Sequence, residues 1–404
     1  MSAVRWPTDS ARLERVRVLM AEGGVDTLVV RSPDNVGYLT NYWPMKGYDI
    51  AIFPRAGEPT LLVMEPQFEE ALETAWTADV QPFPFYDPAD ARPPAVRAQD
   101  RALALLRERD RGTIGLESSQ GTQAADRMVG EPTVFWSGWF DGFGAVAGEV
   151  LDAAPLLARA RMLKTAQELE RMRLANDLAT EAMEHVRDHI RPGMRESEVG
   201  AMFEGHVHAN GTGYRGRVAL ARALTLVWSG PGIRTFTATG DRPVREDEPT
   251  LLEIWVCADG YWSDLTKNAC PGTLRREYDE LLDGLLGVYR AAIAHVRPGA
   301  SLAELDVLIR DGIADLGYPG QPSHPVCHGV GARAHEPPFA HRAVPAVIEE
   351  GMVLAIEPGV YWPGGGGLRL EDNFAVTASG CEQLSRYPDD FRTATATIEE
   401  AGTS

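Results

Sequence analysis

One stretch of the chain dominates the interpretation of its fold, Leu251-Leu-Glu-Ile-Trp-Val-Cys-Ala-Asp-Gly-Tyr-Trp-Ser-Asp-Leu-Thr266. Two apolar runs flank Asp259-Gly260, the strongest short-range signal for a two-residue hairpin turn. With that turn, Glu253 pairs with Thr266, two residues beyond Asp264. Glu253 and Asp264 then share one face as diagonal neighbours, about 7–8 Å apart by backbone, and could hold a metal ion between them. A three-residue turn would instead place them on opposite faces.

The hairpin lies in one of two internal repeats. One helical segment ends in His189-Ile-Arg-Pro-Gly-Met194, and another ends 106 residues later in His295-Val-Arg-Pro-Gly-Ala300. Glu198 and Glu304 are separated by the same 106 residues. The repeat predicts a duplicated α/β unit, and hence a pseudo-twofold domain with helices followed by strands in each copy.

The second copy carries an equivalent pair of carboxylates. Glu357 ends one apolar strand and Glu371 lies on another. They follow Glu253 and Asp264 by 104 and 107 residues. Pseudo-symmetry would bring the four side chains to one axis, where they cannot all ionise without cations. Two divalent ions would neutralise them.

A histidine-rich segment supplies nitrogen donors. Ser323-His-Pro-Val-Cys-His-Gly-Val-Gly-Ala-Arg-Ala-His-Glu-Pro-Pro338 contains His324, His328 and His335. His328, beside the carboxylates, is a candidate metal ligand or proton shuttle. The remaining histidines are interpreted as core or surface residues; they are His185, His189, His206, His208, His295 and His341.

Composition limits the choice of partners. The 404 residues include 39 Lys and Arg against 58 Asp and Glu, a net charge of −19. This charge argues against binding to nucleic acid or to an anionic membrane surface. No apolar run approaches the ~18 residues of a membrane span, and Met1-Ser-Ala-Val-Arg-Trp-Pro-Thr-Asp9 has no apolar signal core. We therefore expect a cytoplasmic protein.

The N-terminal part has its own pattern. Residues 11–30 predict a helix followed by a strand, and further βα-like segments continue to about residue 150. This pattern indicates a separate α/β domain. A cluster of aromatic residues near its end is interpreted as packing or as an interface; its members are Trp136, Trp139, Phe140 and Phe143.

Several motifs together resemble the creatinase, aminopeptidase P and prolidase superfamily. They are His328-Gly-Val-Gly331 with His335-Glu-Pro-Pro338, Ile356-Glu-Pro-Gly-Val-Tyr361, Gly367-Leu-Arg-Leu-Glu-Asp372 and, towards the N-terminus, Met162-Leu-Lys-Thr-Ala-Gln-Glu168. The resemblance implies an α/β (α+β) protein. It would have a creatinase-type N-terminal α/β domain in residues 1–158 and a C-terminal pseudo-twofold pita-bread catalytic domain in residues 159–404.

The same resemblance implies a dinuclear metal site and assigns roles to its residues. The implied metal ligands are Glu253, Asp264, His328, Glu357 and Glu371, with Asp264 and Glu371 bridging both ions. His335 would stabilise the tetrahedral intermediate or move a proton, Glu357 would also act as general base, and His324 and Arg369 would line the substrate pocket. Mostly oxygen ligands with one imidazole favour Mn²⁺, with Co²⁺ and Zn²⁺ as alternatives.

Three positions depart from the family pattern. Glu253 stands where the family has aspartate, and Lys267 stands where many peptidases have arginine. A substrate-binding histidine is missing upstream of the hairpin, where this chain has Ser229-Gly-Pro-Gly-Ile-Arg-Thr-Phe-Thr-Ala-Thr239. We expect these changes to alter the substrate pocket more than the metal site.

Three functions are compatible with this pattern. The first is a metallohydrolase resembling Xaa-Pro dipeptidases and aminopeptidases, acting on short peptides. The second is the same fold acting on a small non-peptide molecule, as in creatinase, an ectoine hydrolase or a sulfonium-propionate lyase. The third is a non-catalytic binding protein. The family commonly dimerises, so a homodimer is expected, with residues 135–143 as the candidate contact.

Overall fold

The computed structural model describes residues 6–108, 112–119 and 135–394, and the chain divides into two units, residues 1–167 and 168–404. The first five residues of the segment inspected for a signal core lie outside the described part. Within the described residues, no helix combines the length and apolar character needed to cross a membrane.

The first unit is a mixed six-stranded sheet with helices. Its strands are β1 Thr27–Val30, β2 Ile50–Pro54, β3 Thr60–Met64, β4 Asp79–Phe83, β5 Thr113–Leu116 and β6 Glu149–Asp152, in the order β4-β3-β2-β1-β5-β6. Its helices are α1 Ser10–Glu22, α2 Pro33–Thr40, α3 Phe68–Thr74, α4 Pro94–Arg107, α5 Ser137–Gly144 and α6 Ala154–Met162, with a short 3₁₀ turn at Glu65–Gln67. The predicted helix and strand in residues 11–30 are confirmed as α1 and β1.

The aromatic cluster belongs to the core of this unit. Trp139 and Phe143 are completely buried, and their rings meet edge to face with centroids 4.8 Å apart. Trp136 and Phe140 are only partly buried and pack against the same core. The interpretation as packing is therefore confirmed for Trp139 and Phe143, whose burial removes them from the candidate dimer contact.

The second unit contains two copies of a helix–helix–strand arrangement. The first copy has α7 Ala166–His189, α8 Glu196–Asn210, β7 Ala221–Ser229, β8 Thr250–Ala258 and β9 Tyr261–Ala269; α7 begins at the end of the first unit. The second has α9 Arg276–His295, α10 Leu302–Asp315, β10 Cys327–Gly329, β11 Glu336–Phe339, β12 Val353–Ile356, β13 Gly359–Trp362, β14 Gly366–Arg369, β15 Asp372–Thr377 and β16 Gly380–Gln383. Short 3₁₀ turns lie at Tyr214–Gly216, Gly230–Gly232 and Phe391–Ala394.

Three sheets connect these strands. Strands β7, β8 and β9 form one antiparallel sheet, and β13 pairs with β14. The third sheet has the order β11-β10-β12-β15-β16. The predicted succession of helices and strands in each copy is confirmed.

The repeated turns have the same conformation in both copies. Helices α7 and α9 end at His189 and His295, and Gly193 and Gly299 follow with φ of 90° and 85°. Glycine adopts this left-handed conformation without a Cβ penalty. The Gly193 amide donates to Val244 O at 2.8 Å, and the Gly299 amide donates to Ile348 O at 2.9 Å. The sequence repeat is thus also a repeat of backbone geometry.

The hairpin has the predicted register. Asp259 and Gly260 have φ of 46° and 81°, as a type I′ turn requires, and Glu253 lies opposite Thr266. The Asp259 side chain accepts hydrogen bonds from the amides of Ala219 and Leu220 at 3.0 and 2.8 Å. These bonds anchor the turn and place Glu253 and Asp264 on one face of the sheet.

The two copies meet where β9 approaches the start of β15. The Asp264 amide donates to Asn373 Oδ1 at 3.0 Å, and Asn373 Nδ2 donates to Asp264 O at 2.8 Å. Thr266 and Glu371 form an isolated antiparallel bridge beside this pair. The junction therefore brings the carboxylates of both copies into one buried space.

Candidate metal centre and active site

Four carboxylates converge at the junction of the two copies. Glu253 lies on β8 and Asp264 on β9, whereas Glu357 follows β12 and Glu371 precedes β15. All four residues are buried, the most exposed being Glu357 at 7%. The predicted convergence of the two carboxylate pairs is therefore observed.

His328 faces three of these carboxylates. Its Nε2 lies 3.4 Å from Glu357 Oε1, 3.7 Å from Asp264 Oδ2 and 4.0 Å from Glu371 Oε1. Its Nδ1 lies 3.0 Å from the carbonyl oxygen of Gly329. Because a carbonyl only accepts, Nδ1 carries the proton of the neutral ring, and the Nε2 lone pair is directed towards the carboxylates.

The arrangement fits divalent metal ions. His328, Glu357 and Glu371 place one ligand atom each within 4.8 Å of one another, and so do Asp264, His328 and His335. Asp264 Oδ2 and His328 Nε2 are buried and accept no hydrogen bond. Buried polar atoms without partners are costly, and coordination to a metal would satisfy both.

The electrostatics of the site also favour a cation. Burial, followed by the charge of Glu371, raises the pKa of Asp264 well above its ordinary value. Burial and the charge of Glu357 raise the pKa of Glu371 to about 7. Burial lowers the pKa of His328, but the nearby charges of Glu357, Asp264 and Glu371 outweigh burial and raise it to about 10. All three shifts bring protons to the crowded carboxylates, and a bound cation would neutralise the same negative charge instead.

Glu253 differs from the other carboxylates because it forms an ion pair. Its Oε2 lies 2.7 Å from Arg369 Nη2, and both side chains are almost completely buried. Glu253 belongs to neither of the two groups that place three ligand atoms together in the described part of the chain. If Glu253 coordinates a metal ion, it would therefore do so mainly through Oε1, because Oε2 faces Arg369.

Arg369 connects several parts of the site. Its Nε donates to Thr266 Oγ1 at 2.6 Å, and Thr266 Oγ1 donates to Glu371 Oε2 at 2.6 Å. Its Nη1 donates to the hydroxyl of Tyr361 at 3.2 Å. Arg369 is predicted to bind substrate, but the structure leaves it only 1% exposed and directs its guanidinium at protein groups. Its geometry is that of a residue that positions Glu253 and Glu371.

His324 orients Glu357 from the other side. Its Nδ1 lies 3.1 Å from Glu357 Oε2, and its Nε2 lies 3.0 Å from the hydroxyl of Tyr361. Burial raises the pKa of Glu357, but the charge and hydrogen bond of His324, together with His328, outweigh burial and lower it below the ordinary value. Glu357 is thus held as a carboxylate between the two imidazoles.

His335 is the most accessible polar group among these residues. Its side chain is 31% exposed, and its Nε2 lies 3.5 Å from Asp264 Oδ2. The ring stacks on His328 with centroids 4.4 Å apart. Burial and the charge of His328 lower the pKa of His335 to about 3, so the ring is neutral near neutral pH. A neutral imidazole at this edge can reach a molecule that enters from solvent.

An exposed apolar side chain packs against His324. Phe236 is 70% exposed, and its ring meets the ring of His324 at 88° with centroids 6.4 Å apart. Its φ of 59° is left-handed, which is uncommon for a bulky residue. Backbone strain of this kind is concentrated at active sites and ligand contacts.

Lys267 was expected to alter the substrate pocket because it departs from the family pattern, and this expectation is wrong. Neighbouring residues of a strand point to opposite faces, so the side chains of Thr266 and Lys267 point in opposite directions. Thr266 faces Glu371, whereas the Lys267 ammonium pairs with buried Asp372. Asp372 also accepts a hydrogen bond from Tyr289 at 2.6 Å.

Three residues of the site were given no role from the sequence. Thr266 lies two residues beyond Asp264 and therefore on the same face, so strand periodicity could have identified it. Tyr361 lies in the quoted Glu357 motif, but its contact with Arg369 depends on the pairing of β13 with β14. Phe236 has no local signal, because only the fold brings it to His324.

Sequence models of two protein families match the chain. The model of Metallopeptidase family M24 matches residues 170–378, which include every candidate metal ligand. The model of the Creatinase/Prolidase N-terminal domain matches residues 12–163. The two matches follow the order of the two structural units.

Individual relatives extend over nearly the whole chain. The Xaa-Pro dipeptidase of Pyrococcus furiosus is 26% identical over 379 residues, covering 93% of this chain and 97% of that protein. The uncharacterized peptidase YqhT of Bacillus subtilis is 23% identical over 385 residues, covering 94% and 99%. The solved structure of the prolidase from Pyrococcus furiosus is similar with a TM-score of 0.74 at 25% identity, covering 92% of this chain and 99% of that one. The prolidase from Pyrococcus horikoshii OT3 has a similar fold, with a TM-score of 0.78 at 22% identity and coverage of 95% and 100%.

Proposed function

This chain belongs to metallopeptidase family M24, and we propose that it hydrolyses the peptide bond before proline in short peptides, with two divalent metal ions at the junction of its two copies. The observation that carries the proposal is the group of buried carboxylates around His328, in which Asp264 Oδ2 and His328 Nε2 have no hydrogen-bond partner. The preference for proline is supported by the relatives that are named Xaa-Pro dipeptidases.

Five residues would hold the metal ions in this proposal. They are Glu253, Asp264, His328, Glu357 and Glu371. When bound, the ions would lower the pKa of a water molecule and polarise the scissile carbonyl group. Four carboxylates and one imidazole support Mn²⁺ as the native metal, with Co²⁺ or Zn²⁺ as alternatives.

The side chains around these ligands have separate tasks. Glu357, held as a carboxylate by His324, accepts a proton from the attacking water. His335 lies at the accessible edge, where the N–H of its neutral ring stabilises the developing oxyanion, or where the ring relays to the leaving amine the proton that Glu357 took from the water. Arg369 keeps Glu253 and Glu371 in place through its ion pair and through Thr266.

Substrate binding is assigned to the edge of the site. His324 and Phe236 would form a wall beside Glu357, with the Phe236 ring exposed to an incoming side chain. An apolar ring such as that of proline would bury surface against Phe236, which favours binding in proportion to the area removed from water. In this proposal, Phe236 provides an apolar contact to the substrate in the segment from Ser229 to Thr239, where the substrate-binding histidine of the family is missing.

The test is peptide turnover by the metal-loaded protein. We expect Mn²⁺-loaded enzyme to cleave an Xaa-Pro dipeptide faster than the matched Xaa-Ala dipeptide, and Asp264→Ala to abolish turnover and reduce bound metal. Asp49→Ala is the matched control, because Asp49 is also a buried aspartate but belongs to the first unit. Full turnover by Asp264→Ala would contradict the dinuclear site. Cleavage of a small non-peptide amide without any cleavage of Xaa-Pro peptides would support the creatinase-like alternative, which the relatives do not favour.

The sequence supports a proposal for the localisation and the oligomeric state of the protein. We propose a cytoplasmic homodimer, since the resembled family commonly dimerises and the charge of −19 disfavours nucleic-acid and membrane surfaces. Trp136 and Phe140, which are partly buried, are the members of the aromatic cluster available for a contact. Elution at the monomer mass in size-exclusion chromatography with light scattering would contradict the dimer.

A further inference from the structure

A second group of histidines lies on helices that carry none of the proposed catalytic residues. His185 and His189 are one turn apart on α7, and His206 lies on α8. The ring centroids of His185 and His189 are 4.2 Å apart, and those of His185 and His206 are 5.0 Å apart. Residues four apart on a helix present their side chains on one face, so two of these rings form a natural pair of ligands.

A hydrogen bond defines the tautomer of one ring. His189 Nδ1 lies 2.8 Å from the backbone oxygen of His185. Because a carbonyl only accepts, Nδ1 carries the proton, and the lone pair of the neutral ring lies on Nε2. Metal-bound histidines commonly donate their other ring N–H to a carbonyl in this way, which makes His189 Nε2 an oriented ligand atom.

The spacing of the rings suits a shared ion. A Zn–N distance of about 2.0–2.1 Å places the centroids of two coordinated imidazoles roughly 4.5–5.3 Å apart for angles between about 90° and 110°. The separation of His185 from His206 lies inside this interval, and that of His185 from His189 lies just below it. Among the described residues, only the two groups of the catalytic site already bring three ligand atoms within 4.8 Å of one another. Rotation of the rings is therefore required, and the exposure of His189 and partial exposure of His185 and His206 allow it.

The surroundings of His185 favour the neutral form of its ring. Burial and the neighbouring charges of His189 and His206 lower the pKa of His185 below its ordinary value, whereas Asp188 opposes this effect. A neutral imidazole has the free lone pair that a transition metal needs. Three neutral nitrogen donors suit zinc, nickel and copper ions more than calcium or magnesium.

We propose that His185, His189 and His206 form a metal site separate from the catalytic centre, which binds one divalent transition-metal ion such as Zn²⁺ through three imidazole nitrogens. The remaining coordination position is left to water. Because the ligands come from α7 and α8, the ion joins these two helices and stabilises the folded chain by mass action.

Zinc binding tests this site with a matched control. The wild-type chain, His185→Ala, His206→Ala and His208→Ala are equilibrated with excess Zn²⁺ near neutral pH, and zinc per chain is measured by plasma mass spectrometry. His208 is the control because it is an exposed histidine two residues from His206 on the same helix. We expect wild type and His208→Ala to hold one more zinc ion per chain than the other two variants.

The catalytic ions bind in all four proteins, so only the difference in zinc content reports on this site. Equal zinc content in wild type and His185→Ala would overturn the proposal. A second measurement locates the ion: crystals soaked in Zn²⁺ should show anomalous density between the three rings at the zinc edge. Anomalous density only at the catalytic carboxylates would also overturn it.

Discussion

Arg369 and Glu253 form a buried ion pair in which Nη2 lies 2.7 Å from Oε2. The pair joins β14 of the second copy to β8 of the first. The same guanidinium donates to Thr266 and Tyr361, so one cation organises the side of the site where the family has the shorter aspartate. Glu253 is thus constrained by a partner as well as by its proposed metal.

Glu253→Gln should strongly destabilise the metal-free protein. The substitution removes the closer of the two carboxylates that face the buried Arg369 charge, since Glu371 Oε2 remains 3.7 Å from Nε. Breaking a buried pair from one side costs about 3–5 kcal/mol, which is the upper bound here. Urea denaturation of the metal-free protein measures the free energy of unfolding. Glu253→Asp is the control, since it retains the negative charge and should be less destabilising. Equal stability of Glu253→Gln and wild type would show that the pair does not hold the site together.

Glu253→Asp also tests the fit of the longer side chain. This variant restores the family residue but shortens the reach from β8. If Glu253 is a fitted ligand, metal affinity should fall at least about tenfold, equivalent to ~1.4 kcal/mol. Competition with a chromophoric chelator measures that affinity. Unchanged or tighter binding would mean that aspartate coordinates equally well here.

His335→Ala should reduce kcat by about 10²–10⁴ while bound metal is retained, because the residue acts on protons of the reacting groups. Metal content and peptide turnover are measured on the same sample. His341→Ala is the matched control, as His341 is an exposed histidine later in the chain. An unchanged kcat in His335→Ala would remove this residue from the mechanism.

Phe236→Ala should raise KM for Xaa-Pro peptides roughly tenfold (~1.4 kcal/mol) with little change in kcat, because an apolar contact to the substrate is lost. Phe236→Gly should raise KM equally but tolerate the φ of 59° more readily, so its thermal stability should be at least that of Phe236→Ala. Phe85→Ala, at an exposed aromatic residue of the first unit, serves as control. A loss of stability without a change in KM would assign Phe236 to the fold alone.

Asp49 should make stability depend on pH. It is completely buried, and burial, only partly opposed by the Met64 amide, raises its pKa to about 7. The folded state then retains a proton that the unfolded state releases from about pH 4, so stability falls as the pH rises from about 4 to about 7. At roughly 1.4 kcal/mol per pKa unit, the contribution is at most about 4 kcal/mol.

Asp49→Asn should remove this part of the pH dependence. Free energies of unfolding are compared across that pH range, and the difference between wild type and variant isolates Asp49. Asp141→Asn, at an exposed residue of the same unit, is the control. Parallel pH profiles for wild type and Asp49→Asn would contradict the raised pKa.

Much of the catalytic architecture was predictable because it is encoded in short-range patterns. The register of Glu253 against Thr266 follows from Asp259-Gly260, since a two-residue turn with left-handed φ matches the twist of the strands. The convergence of both carboxylate pairs follows from the repeat, because similar segments adopt similar backbones. The turns at Gly193 and Gly299 show this similarity directly.

The contacts that the sequence analysis did not predict depend on which surfaces meet. Lys267 was expected at the substrate pocket, but the alternation of strand faces directs it to Asp372. Trp139 and Phe143 were interpreted as packing or as an interface, and only the fold decides between the two by placing them in the core of the first unit. In both cases the side chain contacts residues that lie far away in the sequence.

Local order and repetition were therefore sufficient for the hairpin, the duplicated unit and the convergence of the carboxylates, because turns and strand periodicity act over a few residues. The two-domain fold and the full set of candidate ligands were implied by the resemblance to the family. Packing between the two copies determined how those ligands are arranged. It paired Arg369 with Glu253 and placed Phe236 beside His324, whereas packing within the first copy brought His206 on α8 to the two histidines of α7. These pairings join residues far apart in sequence, and no local energy term selects them until the folded elements meet.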